Sequence, residues 1–492
     1  MNRFIFDGII QKPNKVALVP FKLAEDKRIF KEWPLDHITE IQKRRYVTQK
    51  TALEIFLIEG NSLLFNFPDG DFEDVSQKLA SMRKTRIPDL VFYNTLDPRK
   101  ILEKSGLTKK WQTYEISNFE YLMALNSLAG RSYKDLTQYH VFPWILSQYS
   151  SDLINLDDPA SYRDLSKTMG ALGSEERTKT FQERFENMDL FSAIPKFHFG
   201  SHYSSPAIVL QYLLRLYPYT QGAKELQGGR FDLADRLFCS IEDSYNAATS
   251  EIADVRELVP EFFFLPEFLY NKEKLDFGVM QNGVRVNHVQ MPKWSRFNPY
   301  RFVTILRIAL ESDVVSKNLH HWIDLIFGYK QRGKEAEKAL NTFYYLTYED
   351  MINLETITDP ATRAATETQL IHFGQTPSQL FLKPHPQRLN RESLLSYKII
   401  GDPTADIRFY RPSSKKNVSV PHNQYSIFTA HGKSLVKLKF INETRLIGIR
   451  RDGTITYYRW WNSNNNPTMA SNIPFSCGIE KEKPVQLGKI KS

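Results

Sequence analysis

The chain has two cysteines in 492 residues, Cys239 and Cys477. They lie far apart, so no disulfide framework is implied. No apolar run approaches the ~18 residues that a membrane-spanning helix needs. The densest, EFFFLPEFL, is cut by Pro266 and Glu267. The first residues, MNRFIFDG, lack the apolar stretch and small-residue cleavage site of a secretory signal. These absences point to a cytoplasmic chain that meets a membrane only from its surface. Also missing is a block of one charge sign. The net charge is +9, yet residues 391–492 hold 17 Lys and Arg against 7 Asp and Glu, and the rest hold 48 against 49. The excess belongs to the C-terminal region. The neutral remainder argues against nucleic acid as a partner. The basic tail fits either ordinary solvated surface or contact with anionic lipid, where each cation near the surface contributes ~1 kcal/mol.

A catalytic constellation is missing as well. Gly200-Ser201-His202-Tyr203-Ser204-Ser205 sets Ser beside His but does not read as a nucleophile elbow. A structural role for His202 is the better reading. His320 and Asp324 stand one helical turn apart, with no third ligand for a metal, and a mutual hydrogen bond is expected. Leu226 to Arg230 contains two glycines but no phosphate-loop Lys and Ser/Thr, so a turn is expected. Nothing fixes a separation between Glu261 and Glu267. A hydrolase using His202 or His320 is the rival reading. No cofactor, metal or small-molecule substrate is expected.

What is present is a globular composition, 41% hydrophobic and 13% aromatic. The length suggests roughly three domains. Short segments rich in aromatic and β-branched residues follow one another over residues 15–68: KVALVPFKL, KRIFKEWPL, HITEIQKRRYV, ALEIFLI and SLLFNF. Glu59-Gly60-Asn61 reads as a hairpin and Pro68-Asp69-Gly70 as a loop. Phe72, Val75, Leu79 and Met82 then fall on one face of a helix, with Asp69 or Asp71 as its cap. Strands closed by a C-terminal helix are the build of a pleckstrin-homology (PH) domain. WPLDHITEIQKRRYVTQKTALEIFL (Trp33 to Leu57) resembles the PH-like domain that precedes the BEACH domain in neurobeachin-type proteins.

From Trp111 to Arg388 the sequence carries an ordered series of blocks. It begins with SNFEYLMALNSLAGRSYKDLTQYHVFPWI (Ser117 to Ile145). SHYSS, LQGGRFDLADRLF and ELVPEFFFLPEFL follow. LESDVVSKNLHHWIDLIFGYKQRG (Leu310 to Gly333), FGQTPSQLF and PHPQR close it. This series resembles the BEACH domain. His140 departs from it, standing where Pro is usual, and so frees the preceding backbone and adds a donor. Locally, Ser117 and Glu120 form a capping box ahead of a helix bearing Phe119, Leu122, Met123 and Asn126 on one side. FVTILRI is apolar nearly all round and predicts a buried helix. Leu319, Trp322, Ile323 and Ile326 predict another, and Glu335 to Tyr345 a third. QYHVFPW and VPEFFFLPEFL have neither period. The resemblance implies extended, irregular segments packed among helices. AHGKSLVKLKF followed by DGTITYYRW resembles one WD-repeat blade with His431 at the usual His, although Tyr458 and Arg459 depart from its end. A propeller needs at least about four blades, so either the chain is truncated, the favoured reading, or the blade docks elsewhere.

The expected architecture is multidomain α+β: a PH-like β-barrel with a C-terminal helix over 1–95, a linker over 96–110, and a mostly helical BEACH domain with irregular core segments over 111–390. A second linker over 391–425 and a partial WD-type blade over 426–492 follow. The resemblance implies a non-enzymatic scaffold in vesicle and membrane trafficking, cytoplasmic and peripheral to endomembranes, that binds protein partners. It also implies that the barrel packs on BEACH and leaves a groove. Lys43, Arg44 and Arg45 are candidates to face that groove or to hold a phosphoinositide, although no K-x-R loop is clear near Phe21-Lys22-Leu23-Ala24. Asn118, Asn126, Arg131, Tyr139, Trp144 and Arg163 either line the groove or satisfy buried backbone groups.

Overall fold

The computed structural model describes residues 3–9, 28–58, 60–67, 71–85, 91–93, 97–189 and 194–390, and the backbone of four later strands. The chain divides into two units, Met1–Arg388 and Leu389–Ser492. In the first unit, β1 (Arg3–Ile9) pairs antiparallel with β2 (Arg28–Pro34). β3 (Ile38–Tyr46), β4 (Gln49–Leu57) and β5 (Ser62–Asn66) form an antiparallel meander, and β6 (Val91–Tyr93) joins β3 in parallel. β1 and β6 were not anticipated from the sequence. The strand expected at residues 15–23, the Pro68–Gly70 loop and the Asp69 cap lie outside the described residues. α1 (Asp71–Thr85) begins at Asp71 itself. Phe72 and Leu79 of α1 pack with Ile41, Leu53 and Ile55 of the sheet, and Val75 packs against them, so the predicted apolar face is the buried one.

Two tight turns set the strand register. Between β4 and β5, the Leu57 N–H donates to Asn61 O at 2.8 Å and Gly60 takes φ +85°. Between β3 and β4, Val47 and Thr48 both adopt positive φ, +46° and +67°. That is the backbone of a two-residue hairpin turn, a geometry glycine and asparagine adopt far more readily than β-branched residues.

The stretch expected as a linker over 96–110 is helical. α2 (Pro98–Ser105) is capped by the Asp97 carboxylate, which accepts from Arg99 N–H, and α3 (Leu107–Gln112) starts from Gly106 at φ +65°. Leu102 and Trp111 are buried in the main core. The helices are short, but their apolar residues have somewhere to go, and tertiary burial decides the outcome.

The larger core is organised around α4 (Asn118–Leu128), α5 (Glu175–Asn187), α6 (Pro206–Leu213), α7 (Tyr219–Leu226), α8 (Ile241–Ser250), α9 (Pro299–Leu310), α10 (Asp313–Ile326), α11 (Gly333–Lys338) and α12 (Pro360–Phe373). The capping box of α4 forms: Ser117 accepts from Glu120 N–H and Glu120 accepts from Ser117 N–H. α10 buries Leu319, Trp322, Ile323 and Ile326 as predicted. α9 is amphipathic, not buried all round: Phe302, Val303 and Leu306 face the core while Tyr300, Arg301 and Thr304 are exposed. The helix expected from Glu335 to Tyr345 stops at Lys338. Leu340 turns to φ +50°, and the Asn341 amide donates to Leu325 O and Lys330 O, both at 2.8 Å, which draws the chain away from the helical path. Leu226 to Arg230 is a turn, with Gly229 N–H donating back to Lys224 O at 2.7 Å.

Between helices the backbone is extended but paired. Phe142 and Leu258 exchange N–H···O bonds of 2.8 Å, and Leu146 bridges Tyr162. Elsewhere side chains take the place of ladders, as buried backbone groups require. The Arg177 guanidinium donates to the carbonyls of Met169, Ala248 and Asp254.

The second unit holds one antiparallel sheet of β7 (Leu435–Phe440), β8 (Arg445–Arg450), β9 (Ile455–Asn462) and β10 (Cys477–Lys481), paired in sequential order. The linker read over 391–425 and the Asp452-Gly453 turn lie outside the described residues.

Candidate functional site

The seam between the β3–β4 hairpin and the helical domain is the candidate site. On β3, Arg44 stands diagonally across from Glu54 on β4, since Arg44 pairs with Ala52 and Gln42 with Glu54. Arg44 Nε donates to Glu54 Oε2 at 2.7 Å, and both residues are almost fully buried. The same guanidinium crosses the seam, with Nη1 donating to Ser127 O at 2.6 Å. Glu54 Oε1 accepts from Ser62 Oγ at 2.8 Å on its own side and from Ser132 Oγ at 2.7 Å on the other. Each ion thus holds a partner in both domains, and the charges are compensated where water is excluded.

Arg45 makes the second crossing. Its guanidinium pairs with Glu349 and lies 3.7 Å from Asp350 Oδ1. Its carbonyl accepts from Gln138 Nε2 at 3.0 Å. Ser378 Oγ donates to Glu349 Oε2 at 2.7 Å and fixes that carboxylate. At the hairpin tip Val47 packs into a small apolar cluster of Leu346, Leu354 and Leu370 from the helical domain. Lys43 turns back to its own domain, with Nζ 3.1 Å from Glu73 and over the Phe72 ring.

The groove here is a small depression of about 40 Å³ lined by Gln42, Lys43, Arg44, Arg45, Pro98, Ile101, Leu128, Gly130, Gln138 and Ser378. It has room for a few waters rather than a side chain. Lys43, Arg44 and Arg45 do line it, but each is already engaged within the chain.

The other six candidates are brought elsewhere, into the core, and none lines this depression. Asn118 accepts from Trp111 Nε1 at 2.8 Å and Arg388 Nη1 at 2.5 Å, and donates to Leu310 O at 2.7 Å and Ser316 Oγ at 3.0 Å. It ties the first and last segments of the domain to α9 and α10. Asn126 closes a two-way bond with Val141, donating at 2.9 Å and accepting at 2.8 Å. Trp144 Nε1 donates to Arg256 O at 3.0 Å. Arg163 pairs with Glu257 at 2.6 Å, and the Trp322 indole donates to the other Glu257 oxygen at 3.0 Å. Arg131 is buried and donates weakly to Thr137 O at 3.4 Å. Burial pulls its pKa down to about 10. Tyr139 OH donates to Glu261 Oε1 at 2.6 Å and meets Tyr219 OH at 3.0 Å. Burial, only partly offset by the Tyr139 hydrogen bond, raises the Glu261 carboxyl to about 7.

Of the residues weighed for catalysis, His202 is held in the core. It is buried, its Nδ1 lies 2.7 Å from Ser204 O and its Nε2 lies 3.1 Å from Thr376 Oγ1. Burial pushes its pKa down to about 3, then Arg131 adds to the shift. Asp324 accepts from His385 N–H at 2.8 Å in place of the bond expected with His320. Glu261 is buried while Glu267 is exposed, so the two do not form a pair. His140 is buried and stacks on Tyr133 with ring centroids 4.2 Å apart. Among the described residues, no three or more His, Cys, Asp or Glu side chains are grouped to hold a metal ion, and no helix is long and apolar enough to cross a membrane.

Sequence reasoning missed Glu54, Ser127, Ser132, Glu349 and Ser378. Glu54 did leave a signal: a carboxylate inside the apolar run ALEIFL needs a buried cation.

Residues 109–388 match the family model of the Beige/BEACH domain. Residues 2–80 match that of the PH domain associated with Beige/BEACH. The chain is 48% identical over 368 residues to BEACH domain-containing protein A2 of Arabidopsis thaliana, covering 72% of this chain and 10% of that protein. Protein SPIRRIG of the same plant is 47% identical over the same coverage. BEACH domain-containing protein lvsD of Dictyostelium discoideum is 42% identical over 436 residues, 83% of this chain and 14% of that protein. The chain thus spans only 10% to 14% of the length of these relatives.

Proposed function

Because the chain belongs to the BEACH-domain family, with the associated PH domain ahead of it, we propose that it is a non-enzymatic scaffold that binds protein partners in membrane trafficking. The observation that carries this reading is the seam. Its buried ions, Arg44 and Glu54, join two domains. Such a body offers surfaces to partners. Its places of action are the cytoplasm and the outer faces of endomembranes. The four-stranded sheet of residues 435–481, with AHGKSLVKLKF at its start, is read as a WD-type blade that adds a further contact surface.

Proximity labelling of the full chain in its own cell tests this. Enrichment of vesicle-coat, tethering or autophagy proteins over an equally abundant cytosolic control is the expected result. Labelling indistinguishable from that control counts against it.

A second reading, direct binding to anionic lipid, draws on the basic balance of residues 391–492. Lys43, Arg44 and Arg45 contribute little to it, because their charges are met by Glu73, Glu54 and Glu349. Sedimentation with anionic vesicles that is lost at high salt and on removing residues 391–492 favours lipid contact through the tail.

A further inference from the structure

Away from the seam, the loop after Leu269 and the strand-like return through Val286 enclose an open cleft of about 520 Å³. That size is in the range of small-ligand sites. Its lining includes Lys272, Lys274, Arg285 and His288, with Asp276 as its one acid. Arg285 Nη1 lies 2.8 Å from Asp276. Neither lysine has an ion-pair partner among the described residues, so the lining carries a surplus of positive charge.

The loop is held before any ligand arrives. Asn271 is buried, donates to Leu275 O at 2.8 Å and Asn287 Oδ1 at 3.0 Å, and accepts from Leu275 N–H at 2.8 Å. Asn271 N–H donates to His288 Nδ1 at 3.0 Å. The neutral imidazole therefore carries its proton on Nε2, which is left as a donor. Lys274 is held at φ +53°, a conformation that disfavours any side chain.

Behind the cleft wall lies a fourth cation. Arg215 is buried, with Nε donating to the carbonyl of the lining residue Asn287 at 2.9 Å and Nη1 to Phe238 O at 2.7 Å. Its guanidinium lies 5.0 Å from the centre of the Phe277 ring. Arg215 Nη2 finds no hydrogen-bond partner, and no carboxylate pairs with Arg215 among the described residues. A buried, uncompensated guanidinium behind one wall adds to the field of the three surface cations, because little water screens it.

We propose that this cleft binds a small phosphorylated ligand, a polyphosphate headgroup of inositol type, either free or carried on a lipid. Ammonium groups meet phosphate as point charges, and a guanidinium meets it as a fork. Arg285 exchanges Asp276 for the phosphate, and Lys272, Lys274 and His288 Nε2–H supply the remaining donors. Leu275 and Val286 face the less polar edge of the ring. A polyacidic peptide is the alternative ligand, but a cleft of this volume favours several phosphate oxygens on one compact molecule.

Calorimetric titration of the full chain with inositol trisphosphate tests the site. Saturable binding is expected, weakened roughly tenfold or more in Lys272→Ala/Lys274→Ala and in Arg285→Ala. A control, Lys179→Ala/Lys338→Ala, removes equal charge from exposed helix positions and should bind as the parent does. Lys274→Gly should bind more weakly without a lower Tm, which separates ligand contact from folding. Vesicles of phosphatidylcholine, with and without phosphatidylinositol bisphosphate, identify the source. Sedimentation that needs the phosphorylated lipid and falls in Lys272→Ala/Lys274→Ala means a lipid-borne headgroup. Titration without sedimentation means a free one. The proposal is overturned by no saturable titration, by binding that the control variant weakens equally, or by preference for a polyglutamate peptide.

Discussion

The seam is decided by a few side chains, and Arg44 is the most exacting of them. It bonds Glu54 within its own domain and Ser127 in the next. Arg44→Ala leaves the Glu54 carboxylate buried with only hydroxyl donors, and breaking a buried pair in this way costs about 3–5 kcal/mol. Urea denaturation of the parent and of Arg44→Ala measures it. Arg44→Met/Glu54→Met removes both ions, and it should recover part of that loss despite the hydroxyls left behind. The interior titratable groups give a separate prediction. His140, His202 and His385 have pKa values lowered to about 3, each by burial first. Their neutral forms are favoured by folding, so stability is intact above ~6.5 and declines as pH falls toward 3, by ~1.4 kcal/mol per unit per group. Glu261, raised to about 7, acts in the opposite sense: its contribution is full below ~4.5 and is lost as pH rises through 7. Glu261→Gln keeps the acceptor for Tyr139 and removes that loss. It should be more stable than the parent by on the order of 3 kcal/mol at about pH 8 and equal to it at about pH 4. Thermal melts at the two pH values check this.

At the scale of elements, the β3–β4 hairpin is the part that reaches out. Its turn holds two β-branched residues at positive φ, which costs roughly 1–2 kcal/mol per residue. Val47 gains apolar contact with Leu346, Leu354 and Leu370 in return. Thr48→Gly keeps that contact and relieves one strained residue, so it should raise the melting free energy by about 1 kcal/mol. Val47→Asp should lower it and expose the seam to protease, as limited proteolysis would reveal. Elements were legible where a full period was on the page. α1 and α10 bury the faces that Phe72, Leu79, Leu319 and Trp322 mark out, and Ser117 with Glu120 opens α4. α2 and α3 were not legible, because eight and six residues hold too little of a period, and Gly106 between them reads as a break. α11 was read too long because its end is set by Asn341 bonding across to Leu325 and Lys330, a tertiary fact. The candidate site was half legible for the same reason. The cluster Lys43-Arg44-Arg45 stood out, but its partners Ser127 and Glu349 lie far along the chain. The polar residues of the patterned blocks, such as Asn118 and Arg163, stood out equally and proved to be core.

At the scale of the whole molecule, the seam couples the folding of two domains. Remove residues 1–96, which leaves α2 and α3 in place, and several groups lose their partners at once. Ser132 Oγ loses Glu54, Glu349 loses Arg45, and the apolar cluster of Leu346, Leu354 and Leu370 loses Val47. An apolar patch and a carboxylate released together favour association between copies of the fragment. Residues 97–390 expressed alone should therefore be aggregation-prone, while residues 1–390 should be soluble and melt in one cooperative transition. Calorimetry of the longer piece separates coupling from coincidence. Two resolved transitions would mean that the domains fold independently, and a soluble, cooperatively melting 97–390 would mean the same. Arg44→Ala in the longer piece should split the single transition, since it weakens the seam without touching either core. If it lowers Tm and leaves one transition, the two domains are held together by more than these ions, and Val47 with its cluster becomes the contact to test next.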